Sequence, residues 1–243
     1  MTPAQAPINP RYYQVVEATW PCVETRSLGP ITLRIGAGGG SRVSAATAEA
    51  AVEDARIAEA EAAMLALDQP RLFMIREGEG DLDAQLDRLG YEVMDPVVLW
   101  TCPPETLTDV DIPRVTTFCI WPPLAIQREI WAAGGIGPAR LAVMERATTA
   151  KTSILSRADD KPAGTAYVGL HDGIAMLHAL EVLPQQRRKG MGVWMMRQAA
   201  LWAAERGATE LVVICTRANT GANALYERLG MTCLGGYHYR IKR

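Results

Sequence analysis

Apolar and polar positions along the 243-residue chain set out short strands and helices in alternation. Ile31–Ile35 alternates with period two and predicts a strand. GAGGGS (36–41) follows as a flexible hairpin turn, then an Ala/Glu-rich stretch over about 45–67 with helical propensity. RLFMIRE (71–77) is a strand. In LDAQLDRLG (82–90) Leu82, Leu86 and Leu89 share a helix face, and Gly90 supplies the C-terminal stop. YEVMDPVVLW (91–100) is a strand interrupted by Pro96. Three prolines with acidic and hydroxyl residues in 101–114 mark a boundary. Beyond it, 122–135 and 138–148 read as helices. Three strands come next, with turns at 158–164 and 171–173. A helix over 193–206 is apolar almost all round, so it is deeply buried or covered by a partner. A buried-type strand (210–215), a helix (221–230) ending at Gly230 and a closing strand (231–241) complete the chain.

The pattern predicts a mixed α/β fold of two tandem units, 1–110 and 111–243. An internal echo supports the tandem. Strand–helix–strand at 71–100 and again at 210–241 both carry a helix ending in Arg-Leu-Gly followed by an apolar residue.

Composition narrows the class. With 49% hydrophobic and 21% charged residues, disorder is excluded and there is material for a sizeable core. No apolar run approaches the ~20 residues that span a bilayer. MTPAQAPINP lacks the cationic and apolar regions of a secretory leader. Five scattered cysteines without a C-x-x-C pair read as reduced thiols, mostly buried, which points to the cytoplasm. The net charge of −2 argues against a nucleic-acid partner, and no membrane partner is indicated; a homodimer is compatible with the sequence. The charge is unevenly spread. Residues 1–110 hold 8 Arg and Lys against 17 Asp and Glu, and residues 111–243 hold 17 against 10. A basic second half suits either a polyanionic ligand or an acidic first half.

The chemistry concentrates in one segment. A strand ends at Val182-Leu183-Pro184, and Arg187-Arg188-Lys189-Gly190-Met191-Gly192 leads into a helix. Glycines let the backbone approach a ligand, free N–H groups of a first helical turn point outward, and the dipole favours an anion. A diphosphate is the preferred guest. No G-x-x-x-x-G-K-[ST] is present, and Gly190-x-Gly192 lacks the third glycine of a dinucleotide fingerprint. His171, His178 and His238 have no metal-ligand spacing, so no metal is expected.

These motifs resemble the GNAT superfamily of acyl-CoA N-acyltransferases. Arg187-x-x-Gly190-x-Gly192 after Val182-Leu183-Pro184 is similar to the family's glycine turn. Asn219-x-x-Ala222-x-x-Leu225-Tyr226-x-x-x-Gly230-Met231 is similar to its second motif, with Met where an aromatic is usual. The sharp likeness covers about 176–231 and extends by element order over 111–243. Residues 1–110 look like a degenerate GNAT-like half without the glycine turn.

The resemblance implies a twisted mixed sheet flanked by helices, acetyl-CoA as acyl donor, and direct transfer to a small-molecule or peptide amine. The amides of Arg188 to Val193 would cradle the diphosphate, with Arg187 and Asn219 also on the cofactor. The pantetheine would lie where the 174–183 strand splays from the 210–216 strand. Val182 N–H would meet the thioester oxygen and Tyr226 would protonate the leaving thiolate. The other reading of Tyr226, which the Leu-Tyr pair disfavours, is a packed aromatic on the helix's inner face; Asn219 could equally be a plain helix N-cap. His178, four residues before Val182 and on the same face by strand alternation, is the first candidate base. A hydrogen-bonded core histidine is its other reading. Glu181 falls on the opposite face unless a bulge intervenes. A non-catalytic acyl-CoA-binding sensor or assembly module is the rival reading, and a nucleotide-phosphate enzyme using the same turn is a third.

Overall fold

The computed structural model describes residues 8–243; most of the segment read for a leader lies outside them. In chain order the elements are α1 (Arg11–Thr19), β1 (Glu24–Leu28), β2 (Ile31–Ile35), α2 (Ser41–Ser44), β3 (Thr47–Ala48), α3 (Asp54–Ala66), β4 (Arg71–Arg76), α4 (Gly80–Arg88), β5 (Glu92–Cys102), β6 (Thr117–Ile120), α5 (Ala125–Ala133), α6 (Pro138–Arg146), β7 (Ala150–Ala158), β8 (Lys161–His171), β9 (Ile174–Val182), α7 (Met191–Ala204), β10 (Glu210–Thr216), α8 (Thr220–Arg228) and β11 (Thr232–Lys242). Eight strands form one mixed sheet in the order β4-β11-β5-β10-β9-β8-β7-β6, and β1-β2-β3 form a second. A parallel bridge, Ala46 to Phe73, links them.

The two units interleave. β5 of the first unit lies between β10 and β11 of the second, antiparallel to both, and β11 lies between β5 and β4. The division at 110/111 therefore separates two stretches of sequence that share one sheet. β11 is an interior strand, where the sequence suggested one that closes the sheet. The echo is borne by matched geometry: α4 and α8, then β5 and β11, recur at a displacement of 140 positions. Side chains obey the same relation. Trp100 on β5 donates to Asn223 Oδ1 of α8 at 3.0 Å, and Arg240 on β11 donates to Asp83 Oδ1 of α4 at 2.7 Å.

Four apolar clusters fill the layers. α7 packs Met195, Met196, Ala199 and Ala203 against Leu177, Val168 and Val213 on one sheet face. α1 covers the other face with Val15 and Val16 over Met176, Val212 and Leu99. Thr19 of α1 sits so close to Gly169 that a Cβ there would lie 2.7 Å from Thr19 Cβ.

Several local expectations are corrected. The helix expected over 45–67 begins only at Asp54, because Thr47–Ala48 pairs with β2. Gly36–Gly40 is not a hairpin: it joins β2 to α2 and packs on α6, where a Cβ at Gly39 would meet Val143 Cγ2 at 2.6 Å. Pro96 does not break its strand; a bulge with Asp95 at φ 45° absorbs it. Among the cysteines only Cys102 is buried, and no disulfide forms. No helix among the described residues is long and apolar enough to cross a membrane.

Candidate active site

β9 and β10 are parallel and pair only over Ile174–Leu177 with Glu210–Val213. Beyond that point β9 keeps its ladder with β8, β10 keeps its ladder with β5, and the two diverge. The sheet opens into a wedge between residues 178–182 and 214–216. Leu183 N–H bonds Ala163 O at 2.9 Å. Donor direction alternates along an antiparallel ladder, so Val182 N–H faces the other way, into the wedge. Val182 O on that edge accepts from Arg187 Nε at 3.2 Å.

The turn after β9 is built for an anion. Arg188 (φ 65°) and Gly190 (φ 78°) are both left-handed, a geometry that gathers successive N–H groups into a concave nest. Gly190 is the N-cap of α7, and the first helical bond runs from Trp194 N to Gly190 O at 3.1 Å. The six amides from Arg188 to Val193 find no acceptor among the described residues. Lys189 Nζ is held by Asp159 at 2.7 Å and Gln186 at 2.9 Å, whereas Arg188 makes no ion pair with any described residue. A Cβ on Gly192 would lie 3.0 Å from Leu225 Cδ2, so this glycine lets α8 approach the turn. The structure thus brings Arg187 to Val193, Val182 and α8 together around the wedge.

A bulge in β9 overturns the assignment of faces. His178 pairs with Tyr167 and Glu181 with Thr165, so Ala179 and Leu180 together oppose one residue. Ala179 is left-handed (φ 52°), and its carbonyl accepts from the buried Trp131 indole of α5 at 2.7 Å. The extra residue flips the parity of the strand beyond it. His178 and Glu181 share one face, and Val182 moves to the other with the α7 cluster.

His178 is consequently not the base inferred from alternation. It is 4% exposed, with its ring 5.0 Å from Trp20 and 5.9 Å from Tyr167. Its Nδ1 lies 3.0 Å from Arg42 Nη1, an obligate donor, so Nδ1 must be the acceptor and Nε2 carries the proton. That proton points to Thr19 Oγ1 at 2.9 Å, and Thr19 in turn donates to Val15 O at 2.7 Å. Burial, then the Arg42 charge, holds the imidazole well below its ordinary value. Both nitrogens are engaged and neither can collect a proton.

Glu181 is half-buried, and burial raises its carboxyl above the usual range against the pull of Arg187 and Arg140. Its carboxylate rests on Gly134 at the end of α5, where a Cβ would lie 2.5 Å from Glu181 Cδ. A carboxylate of raised pKa beside a wedge suits proton acceptance.

Tyr226 of α8 packs in the α7 cluster, 6.4 Å from the Trp100 ring. Burial, then the neighbouring Cys215 thiol, raises its phenol far above neutrality, so it is protonated at physiological pH. No described residue hydrogen-bonds its hydroxyl. Asn219 is the N-cap of α8, its Oδ1 accepting from Ala222 N at 3.1 Å. Sequence reasoning missed Trp131, Gly134 and Arg42; their spacing carries no signal, since each acts through a contact distant in sequence. Among the described residues no cluster of three or more His, Cys, Asp or Glu could hold a metal.

Residues 124–231 match the model of the Acetyltransferase (GNAT) family. An uncharacterized N-acetyltransferase of Bacillus subtilis (strain 168), YobR, is 26% identical over 244 residues, which cover 95% of this chain and 97% of that protein. A GCN5-related N-acetyltransferase from Kribbella flavida has a similar fold at TM-score 0.72 and 19% identity, covering 98% of this chain and 96% of its own. A tandem GNAT protein from the clavulanic acid biosynthesis pathway is similar at TM-score 0.60 and 11% identity, over 82% of this chain and 74% of that one. The chain thus carries an acetyltransferase domain of the GNAT family at residues 124–231.

Proposed function

We propose that the chain transfers the acetyl group of acetyl-CoA to an amine by direct attack, with one site per chain at the β9–β10 wedge. The observation that carries the reading is the run of six acceptor-free amides on a cationic, glycine-permitted turn beside an open sheet edge. Acetyl-CoA is a substrate here. Arg188 to Val193 would hold its diphosphate through main-chain N–H groups, with Arg187 and Lys189 adding charge. Asn219, at the start of α8, borders the same end of the wedge.

Glu181 takes the proton of the ammonium form of the acceptor. The freed lone pair attacks the thioester carbon, and the carbonyl electron pair moves to oxygen, where Val182 N–H stabilises it. A donor so placed is worth about 3 kcal/mol. Collapse re-forms the carbonyl and breaks the C–S bond, the Tyr226 hydroxyl protonates the departing thiolate, and the second proton on the attacking nitrogen is lost to water, which leaves the neutral amide and returns a proton to the Tyr226 phenolate. Proximity of amine and thioester supplies much of the remainder. The acceptor class is a small-molecule or peptide amine.

Calorimetry with acetyl-CoA, followed by free-thiol detection in the presence of amines, tests the reading. Binding and amine-dependent thiol release are expected. Absence of binding would overturn it, and binding without thiol release against any amine would leave a sensor instead.

A further inference from the structure

Arg42 is a partly buried cation without a counter-ion among the described residues. It comes from the first unit, on α2, and reaches under the sheet to His178 of the second. It forms no ion pair with any described carboxylate, and its Nε is shielded from solvent and has no acceptor. The Tyr237 and Tyr239 hydroxyls lie beside the guanidinium, 3.4 Å from each other, and the Trp20 ring is 5.9 Å away. Tyr13, whose ring packs 6.2 Å from that of Tyr237, has a buried hydroxyl without a partner. The acids nearest Tyr13 are occupied: Glu77 accepts from the Ile8 and Gly236 amides, and Glu79 from the Arg76 amide. A shielded charge is costly unless it is compensated, and the groups around Arg42, the His178 imidazole and the Tyr237 and Tyr239 hydroxyls, are neutral and leave its charge unbalanced.

The location gives this cation a role. His178, which Arg42 touches, precedes Glu181 by three residues on the same face of β9, so the two lie about 7–10 Å apart along the strand. Arg42 therefore stands on the acceptor side of the wedge at a fixed remove from the reacting amine. We infer that Arg42, oriented by His178 and flanked by Tyr237 and Tyr239, binds a carboxylate on the acceptor, so that the preferred substrate is a primary amine carrying a carboxylate several bonds away. The inference rests on the acetyl-transfer reading and adds the substrate class. A free ω-amino acid and a short peptide with its C-terminal carboxylate both offer this chemistry.

A matched series tests it: 6-aminohexanoate, its amide, hexylamine and a glycine dipeptide as acceptors. For the wild type, kcat/KM for one of the two acids should exceed that for hexylamine and for the amide at least tenfold. Which acid leads identifies the source. R42M should erase the preference by raising KM for the acid, with acetyl-CoA affinity unchanged and a melting temperature no lower than that of the wild type, because an uncompensated buried charge is removed. R42K should keep part of the preference. Equal use of hexylamine and both acids by the wild type, or an equal loss for acid and neutral amine in R42M, would overturn the inference. Independently of turnover, 6-aminohexanoate or the dipeptide should raise the melting temperature of the wild type and not of R42M. Absence of acetyl-CoA binding would instead count against the underlying reaction.

Discussion

The two interleaved units present the same turn twice, with opposite chemistry. α3 and α7 each follow a parallel pairing, an isolated bridge from Ala46 to Phe73 in the first unit and the β9–β10 ladder in the second, and each begins with amides that lack internal acceptors: Ala50 to Ala55 and Arg188 to Val193. Orphan amides are common to both turns, so what distinguishes them is the charge and the glycine around them. The first turn is framed by Glu49, Glu53 and Asp54 and has no glycine. The second is framed by Arg187, Arg188 and Lys189, with Gly190 left-handed at the N-cap. The helix dipole favours an anion in both, but three carboxylates reverse the local potential in the first. The next position to compare is equally one-sided: Tyr226 of α8 corresponds to Leu86 of α4, a fully buried aliphatic that has no proton to give. The first unit repeats part of the scaffold and places α1, α2 and β5 against the strands of the second.

The largest break in this comparison comes at Gly190. Gly190→Trp forces a side chain into φ 78° and fills the nest, so acetyl-CoA affinity should fall about 100-fold or more by calorimetry. Tyr226→Phe gives the second unit a side chain as proton-poor as Leu86. Turnover should drop about 10²-fold while acetyl-CoA affinity stays within about twofold. Glu181→Gln should act next, and its signature is the pH profile. Burial raises this carboxyl, and a base works only above its pKa, so kcat/KM of the wild type should climb with pH through a limb lying above the ordinary carboxylate range. Glu181→Gln should flatten that limb. Gly134→Ala tests the same carboxylate from the other side. The added methyl must displace the flexible Glu181 side chain, so turnover should fall about tenfold with an unchanged melting temperature.

What the sequence made legible was local. The glycine turn, the Asn219 cap and the strand–turn pattern of 150–182 depend on neighbours in the chain, and each stands where its residues indicated. The bulge at Ala179 was not legible, because nothing in Leu-His-Ala-Leu-Glu marks a left-handed alanine. Its support, Trp131, is 48 residues away. One unseen residue of register put Glu181 on the face of His178 and moved Val182 to the other. The repeat was legible from Arg-Leu-Gly, but the exchange of β5 and β11 was not, since a strand's pattern gives its faces and not its partner. α1, β1 and β6 escaped for a related reason. β1 is exposed along nearly all its length, β6 has only four residues, and α1 is ordered by packing on strands of the other unit.

The strand exchange is held by two symmetry-related clamps of unlike charge, and the smallest predicted effect lies there. Asn223 accepts from the Trp100 indole, a neutral pair. Asp83 accepts from Arg240 Nε at 2.7 Å and from His238 Nε2 at 2.8 Å. Partial burial pushes the Asp83 carboxyl up, but the Arg240 and His238 bonds outweigh it and leave the carboxyl below its usual value. A carboxyl depressed in the folded state adds stability above its unfolded pKa and loses it as pH falls through the folded one. Asp83→Asn should therefore cost about 1 kcal/mol near neutrality, and the gap to the wild type should close on acidification to below the usual aspartate range. The cost stays small because Arg240 also bonds Asp87 at 2.7 Å and Tyr91 O at 3.0 Å. Asn223→Ala, by contrast, should destabilise to the same extent at every pH, since its clamp contains no group that titrates in the acid range. Parallel denaturant titrations at neutral and acid pH would separate the two. A gap for Asp83→Asn that persists in acid would mean that this clamp is held by shape and not by charge.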